Sequence, residues 1–128
     1  MGLNYFQERE LKADVNISTA GNNIIIAPGM SAPGVQGMPA NWENPAEYLA
    51  IDYLVIFPAA AVTLQIMDGT TPYGGAYQLA AQQPFILENA MHAEDGLLKL
   101  SPNSNLEINL SAPVQVSGFA LFRRKMSN

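Results

Sequence analysis

Residues able to do acid–base chemistry are few in this chain. The single histidine, His92, lies on a polar stretch between Glu88 and Glu94. A hydrolase would use such a histidine as the general base for Ser101 or Ser104, with a carboxylate to orient it. No G-x-S-x-G turn accompanies these residues, so the sequence favours a solvated histidine on a polar loop.

Residues able to bind a metal ion are also too few. Zinc takes three or four Cys, His or carboxylate ligands, and the chain has no cysteine and one histidine. Calcium takes about six to eight oxygen ligands, and no D-x-D-x-D-G loop is present. The dipeptides Asp68-Gly69 and Asp95-Gly96 are typical of turns. We therefore expect no metal, no cofactor and no catalytic residue.

The composition suits one small domain with part of its surface covered. Of the 128 residues, 48% are hydrophobic and 13% are charged, well below the usual charged fraction of about 25%. The net charge of −5 argues against a nucleic-acid partner. The basic triplet 123–125 is expected to form salt bridges or to solubilise the end of the chain. The longest apolar run, 48–62, is interrupted by Asp52 and Pro58, so no membrane span is expected.

Apolar and polar residues that alternate with a period of two predict β-strands along most of the chain. Segment 11–18 is the clearest case, and a second short strand is predicted at 23–27. Segment 47–57 is predicted to be a central strand. One face of that strand is expected to carry Leu49, Ile51, Tyr53, Val55 and Phe57.

Further strands are predicted in the second half. They cover 61–67, 76–82, 85–87, 97–100, 106–110 and 114–122, with turns at Asp68-Gly69 and over 70–75. About eight short strands without a long helical period predict an all-β fold. We expect an antiparallel β-sandwich of the jelly-roll type.

Two segments lack this alternation. Residues 1–10 are predicted to form an N-terminal arm or a short helix, ahead of a single sandwich domain over 11–128. Residues 28–46 hold four prolines and three glycines, which predicts a long irregular loop. A loop of this length usually indicates either function or disorder. Its apolar residues fit two interpretations, packing on its own sandwich or contact with a neighbouring subunit.

The last strand carries apolar residues on both faces. Val114, Val116, Ala120 and Phe122 share one face, whereas Phe119 and Leu121 lie on the other. A sandwich strand whose outer face meets water should be polar there. We therefore expect another subunit, or the loop 28–46, to cover this face. The candidate interface comprises Tyr5, Phe6, Met30, Val35, Met38, Trp42, Phe119 and Leu121.

Four stretches in the C-terminal half resemble a known group of structural proteins. They are VTLQIMDGTT at 62–71, YQLAA at 77–81, SNLEINLSA at 104–112 and VQVSGF at 114–119. These strands and the Asp-Gly-Thr turn are similar to capsid decoration (cement) proteins of tailed bacteriophages. The resemblance implies a non-enzymatic virion protein, a trimer on the outside of an icosahedral head that bridges subunits of the major capsid protein. It assigns no functional residues, because the shared motifs are strands and turns.

Two other functions remain open from the residues alone. Tyr73 and Tyr77, with nearby glutamines, could stack against sugars or could pack within a hairpin. A sugar-stacking surface would suit a carbohydrate- or receptor-binding module of a phage tail fibre. A small enzyme acting on polysaccharide would need two carboxylates about 5–10 Å apart in a cleft.

Overall fold

The computed structural model describes residues 10–28, 46–91 and 93–127. Within those ranges the chain forms nine β-strands. They are β1 (Glu10–Ile17), β2 (Gly21–Ile26), β3 (Ala46–Pro58), β4 (Val62–Asp68), β5 (Thr71–Leu79), β6 (Phe85–Glu88), β7 (Leu98–Lys99), β8 (Leu106–Leu110) and β9 (Val116–Ser127). A search of the same ranges finds no helix with the length and apolar character of a membrane span.

The strands form two antiparallel sheets. Sheet I has the order β1-β9-β3-β6, with the short β7 also paired to β3, and sheet II has the order β2-β8-β4-β5. The pairs β1–β9 and β3–β6 of sheet I alternate with the pairs β2–β8 and β4–β5 of sheet II. A long hairpin folded over so that successive strand pairs change sheets has the topology of a jelly roll. The predicted all-β, antiparallel sandwich of the jelly-roll type is therefore confirmed.

One hydrophobic core lies between the two sheets, since inward-facing side chains alternate with outward-facing ones along each strand. The predicted inward faces of β1, β4, β8 and β9 are confirmed by burial. The core comprises Val15, Ile26, Leu49, Ile51, Leu54, Ile56, Val62, Leu64, Ile66, Leu79, Leu98, Leu100, Leu106, Ile108, Leu110, Val116, Ala120 and Phe122.

The prediction that Leu49, Ile51, Tyr53, Val55 and Phe57 share one face of β3 is wrong beyond Ile51. In the register with β9, Ile51 pairs with Phe122 and Tyr53 pairs with Leu121, so Asp52 is an extra residue in β3. A β-bulge of this kind puts two residues opposite one and reverses the alternation beyond it. Leu54 and Ile56 therefore enter the core in place of Val55 and Phe57.

Two smaller boundaries also differ from the prediction. The segment 70–75 was expected to be turn, but β5 begins at Thr71 and its pairing with β4 is shifted near Gly74-Gly75. At this register shift β5 has more residues than the strand β4 opposite it, and the two glycines are among them. A glycine-rich segment can therefore lie within the strand. The basic triplet is part of β9 rather than a tail after it, because β9 runs to Ser127 alongside the first half of β3.

Candidate interface on the outer face of sheet I

The register of sheet I aligns outward-facing residues in cross-strand rows. We call Lys12, Leu121, Tyr53 and Glu88 the first row, because they are paired in turn across β1, β9, β3 and β6. The second row is Asp14, Phe119, Val55 and Ile86, by the same pairings. Each row has a charged residue at the β1 edge and apolar residues over the two central strands.

The centre of this face is apolar. Phe57 and Ile86 each leave 48% of their surface exposed. The rings of Tyr53 and Phe119 lie 5.8 Å apart between centroids, and the Lys12 ammonium lies 5.6 Å from the Phe119 centroid. We define the outer apolar patch as Tyr53, Val55, Phe57, Ile86, Phe119 and Leu121, of which Phe57 and Ile86 are exposed, Tyr53, Phe119 and Leu121 are half-buried and Val55 is buried. A contiguous apolar patch on a sheet face that would otherwise meet water is typical of an interaction surface.

The bulge in β3 is held by an ion pair at one end of this patch. The Arg123 guanidinium donates to both carboxylate oxygens of Asp52, from Nε at 2.8 Å and from Nη2 at 3.0 Å. Side-chain exposure is 16% for Arg123 and 13% for Asp52, so water screens the pair little. The fork geometry fixes both side chains. The ion pair therefore fixes the position along β3 at which the set of outward-facing residues switches from one alternation to the other.

The same bulge anchors the segment between β6 and β7. The backbone N–H of Asn89 donates to the Asp52 carbonyl at 2.8 Å, and that of Leu97 donates to the Ile51 carbonyl at 2.7 Å. The Asn89 side chain also donates to the Asp52 carboxylate at 3.3 Å and to the Ala93 carbonyl at 3.0 Å. These bonds tie Asn89 and Leu97 to the bulge.

The remaining basic residues of β9 are paired as well. Arg124 donates to the Glu47 carboxylate at 2.6 Å, and Lys125 donates to the Glu94 carbonyl at 3.2 Å. The sequence-based expectation that the triplet forms salt bridges is confirmed, with Asp52 as the partner of Arg123, Glu47 of Arg124 and Glu94, at 4.0 Å, of Lys125. These cations thus stabilise the contact of β9 with β3 and with the segment between β6 and β7.

Asp95 is a further fixed point of that segment. The Tyr48 hydroxyl donates to its carboxylate at 2.7 Å. This hydrogen bond, aided by the nearby charges of Lys99 and Lys125, holds the pKa of Asp95 below its ordinary value of 3.8 against a smaller opposing effect of desolvation. Asp95 therefore stays ionised into mildly acidic solution.

Gly118 lets β9 approach β3 beneath the patch. It pairs with Ile56 and has a φ of +151°, a backbone conformation that favours glycine. A Cβ at this position would overlap the Val55 carbonyl oxygen and lie 2.8 Å from the Ile56 Cα. Because both neighbours are backbone atoms of β3, no side-chain rotation could relieve the overlap.

A depression of about 540 Å³ opens beside the bulge. Tyr53 and Leu121 contribute apolar surface to it, and Arg123 lies in its wall. Its carboxylates are Glu10, Asp52, Glu88 and Glu94. The Asp52 carboxylate is paired with the Arg123 guanidinium in this wall. No group of three or more histidine and acidic side chains that could hold a metal ion occurs among residues 10–28, 46–91 and 93–127.

The sequence-predicted interface residues fall into two groups. Phe119 and Leu121 lie side by side in the outer apolar patch, as expected for the outer face of β9. The other six lie outside the described residues, namely Tyr5, Phe6, Met30, Val35, Met38 and Trp42. Tyr53, Val55, Phe57 and Ile86, which share this face with Phe119, were not predicted from the sequence. A bulge at Asp52 has no local sequence signature that would have revealed them.

The residues weighed for a hydrolase have structural partners. The Ser101 hydroxyl donates to the Asp68 carboxylate at 2.7 Å, and the Ser101 N–H donates to the same group at 3.1 Å. Ser104 lies against Gly69 in the adjoining turn. His92 lies outside the described residues. Asp68 and Ser101 thus tie the β4–β5 hairpin to the turn before β8.

The two tyrosines weighed for sugar stacking are also in contact with the protein. Tyr73 packs against the core, and its hydroxyl accepts a hydrogen bond from the Lys99 N–H at 3.3 Å. The Tyr77 ring lies 4.7 Å from the Phe85 ring between centroids. Tyr73 therefore packs within the protein, whereas Tyr77 is 37% exposed in spite of its contact with Phe85.

The fold and this face define an all-β jelly-roll sandwich with an apolar outer sheet face. Comparison of the chain with models of known families, with curated proteins and with solved structures finds no match. A jelly roll hosts many unrelated functions, so the function must be argued from the surface.

Proposed function

We propose that this protein is a capsid decoration protein of a tailed bacteriophage, a non-enzymatic component that binds the outside of an icosahedral head. The observation that carries the proposal is the outer apolar patch on sheet I. A jelly roll already buries its core between its own sheets, so a second apolar surface indicates burial against another molecule. The resemblance of segments 62–71 and 104–119 to decoration proteins names the assembly in which that burial would occur.

The composition supports the same proposal. A charged fraction of 13% leaves few groups to keep an isolated molecule solvated on every side. Standard protein interfaces bury about 800 Å² on each partner. Several such contacts on each molecule, to its own copies and to the major capsid protein, would link neighbouring capsid subunits and strengthen the shell.

The rigid elements of the sandwich suit a load-bearing role. The ion pair of Asp52 with Arg123 and the close contact at Gly118 fix the geometry of the two central strands of sheet I. The patch is therefore presented on a preorganised surface, which lowers the ordering entropy lost on binding. The six candidate interface residues outside the described ranges stay a prediction for contacts with the shell.

Adding the purified protein to heads assembled without it tests the proposal. We expect cosedimentation with the heads, density for the protein on the outer surface in electron microscopy, and a higher temperature of head rupture. Deletion of residues 34–40 should leave a folded protein that no longer cosediments. Heads that neither bind the protein nor gain stability would refute the proposed function.

A further inference from the structure

We infer that the outer apolar patch is the contact surface for a second copy of this chain, related by a two-fold axis that runs parallel to the strands of sheet I. The inference extends the proposed function by naming the partner that covers this face. It is tested in solution without heads, so the two proposals can fail separately.

The first row is complementary to itself under that axis. It runs from Lys12 at the β1 edge, through Leu121 and Tyr53, to Glu88 at the β6 edge. A two-fold axis parallel to the strands and between β9 and β3 places the β1 edge of one copy over the β6 edge of the other. Lys12 of each copy then faces Glu88 of its partner, and Leu121 faces Tyr53.

The charged groups at both ends of the row are available for this exchange. Lys12 is exposed over 61% of its side chain, and its 3.6 Å ion pair with Asp14 is therefore a weak surface contact. The Glu88 side chain is exposed and makes no hydrogen bond or ion pair with another described residue. A pair between Lys12 and the partner's Glu88 would form at the rim of an apolar contact, where such charges set orientation.

Charge also selects this axis over the other two-fold arrangement. An axis along the first row would place Lys12 against the second Lys12, and Glu88 against the second Glu88. The rows on either side would bring Glu10 opposite the second Asp14. Like charges placed directly opposite are destabilising. Of the two axes, only the strand-parallel one places opposite charges against each other in the first row.

The face is large enough for a dimer contact. Three strands over the 26 Å or so of the eight-residue β1, and the four-residue β6 at about 13 Å, lie about 4.8 Å apart and give a flat area on the order of 400 Å². The accessible area of the side chains on such a face exceeds its flat projection, which brings it toward the roughly 800 Å² per partner of a standard interface. The strands of two sheets that pack face to face cross at an angle of about 30°. This small angle keeps the two copies of the first row near each other.

A two-fold contact fixes the parity of the oligomer. By itself it makes dimers, and together with the trimer implied by the resemblance it makes hexamers. The number of chains is even in either case. A lone ring of three would leave the patch uncovered.

Charge reversal tests the inference. Sedimentation equilibrium or light scattering of the unmodified protein should give a mass that is an even multiple of the 13.8 kDa chain. Lys12→Glu and Glu88→Lys should each raise the dissociation constant of the two-fold contact about tenfold or more, because each change makes two like-charge contacts per dimer. The double variant should recover to within about threefold of the unmodified protein. Gln78→Lys, on the exposed side of sheet II, should leave it unchanged.

Each outcome of this experiment decides the inference. Recovery in the double variant supports the strand-parallel axis, since only that arrangement exchanges the two edges. Equal, additive weakening without recovery overturns it. An unmodified protein that is a monomer or a trimer at about 0.1 mM also overturns it, while leaving the test of head binding to decide the proposed function. Circular dichroism of every variant should match that of the unmodified protein.

Discussion

Replacement of Gly118 by alanine should be among the most damaging small substitutions in sheet I. The added Cβ would overlap the Val55 carbonyl oxygen and lie 2.8 Å from the Ile56 Cα, so β9 must move away from β3. Overpacking of this kind costs about 1–3 kcal/mol. The φ of +151° adds backbone strain of about 1–3 kcal/mol for a residue with a side chain. We therefore expect a loss of about 4 kcal/mol in the free energy of unfolding.

Urea unfolding followed by circular dichroism measures this loss, at one fixed protein concentration because association also stabilises the fold. For a chain of 128 residues the whole free energy of unfolding is about 6–19 kcal/mol, so the change is large. Gly75→Ala is the matched control, since a Cβ there meets no atom within 4 Å, and it should stay within about 0.5 kcal/mol. A loss below about 1 kcal/mol for Gly118→Ala would refute the close contact between β9 and β3.

Two further predictions concern the bulge and its surroundings. Arg123→Met leaves the Asp52 carboxylate unpaired at 13% exposure and should cost about 2–4 kcal/mol. In a double-mutant cycle, the variant with both Arg123→Met and Asp52→Asn should lose less stability than the sum of the two single losses. A coupling energy near zero in this cycle would contradict the ion pair. Because the pKa of Asp95 is lowered on folding from 3.8, its contribution to stability is present above about pH 4 and is lost as the pH falls through the folded value. Tyr48→Phe should move the pKa toward 3.8 in an NMR titration, and a value already at or above 3.8 in the unmodified protein would contradict the hydrogen bond.

Alternation of residue types predicted the architecture because most strands keep one face in the core throughout. In β1, Val15 is buried and its neighbours Asp14 and Asn16 are exposed, as a period of two requires. The same rule places Val116, Ala120 and Phe122 inward and Phe119 and Leu121 outward. The two layers of the sandwich and the apolar outer face of β9 could therefore be predicted from the local sequence pattern.

The pattern fails at Asp52 for a physical reason. Beyond Ile51 both faces of β3 are apolar, so a shift of one residue leaves a sequence that suits the core equally well. The interaction that fixes the shift is with Arg123, which is 71 residues away in the chain. A contact so distant in sequence has no local signature, and the partners of Phe119 on β3 could not be predicted without it.

Thiol labelling tests most directly whether the outer face of sheet I is covered by another molecule. The chain has no cysteine, so Ser117→Cys introduces a single thiol, opposite Phe57 on that face, with almost no change in size. We expect its reaction with a maleimide to slow at least tenfold between dilute and concentrated protein, while Gln78→Cys on sheet II reacts at one rate throughout. Equal rates for Ser117→Cys at both concentrations, and again on decorated heads, would show that the patch stays open to water and would contradict the account.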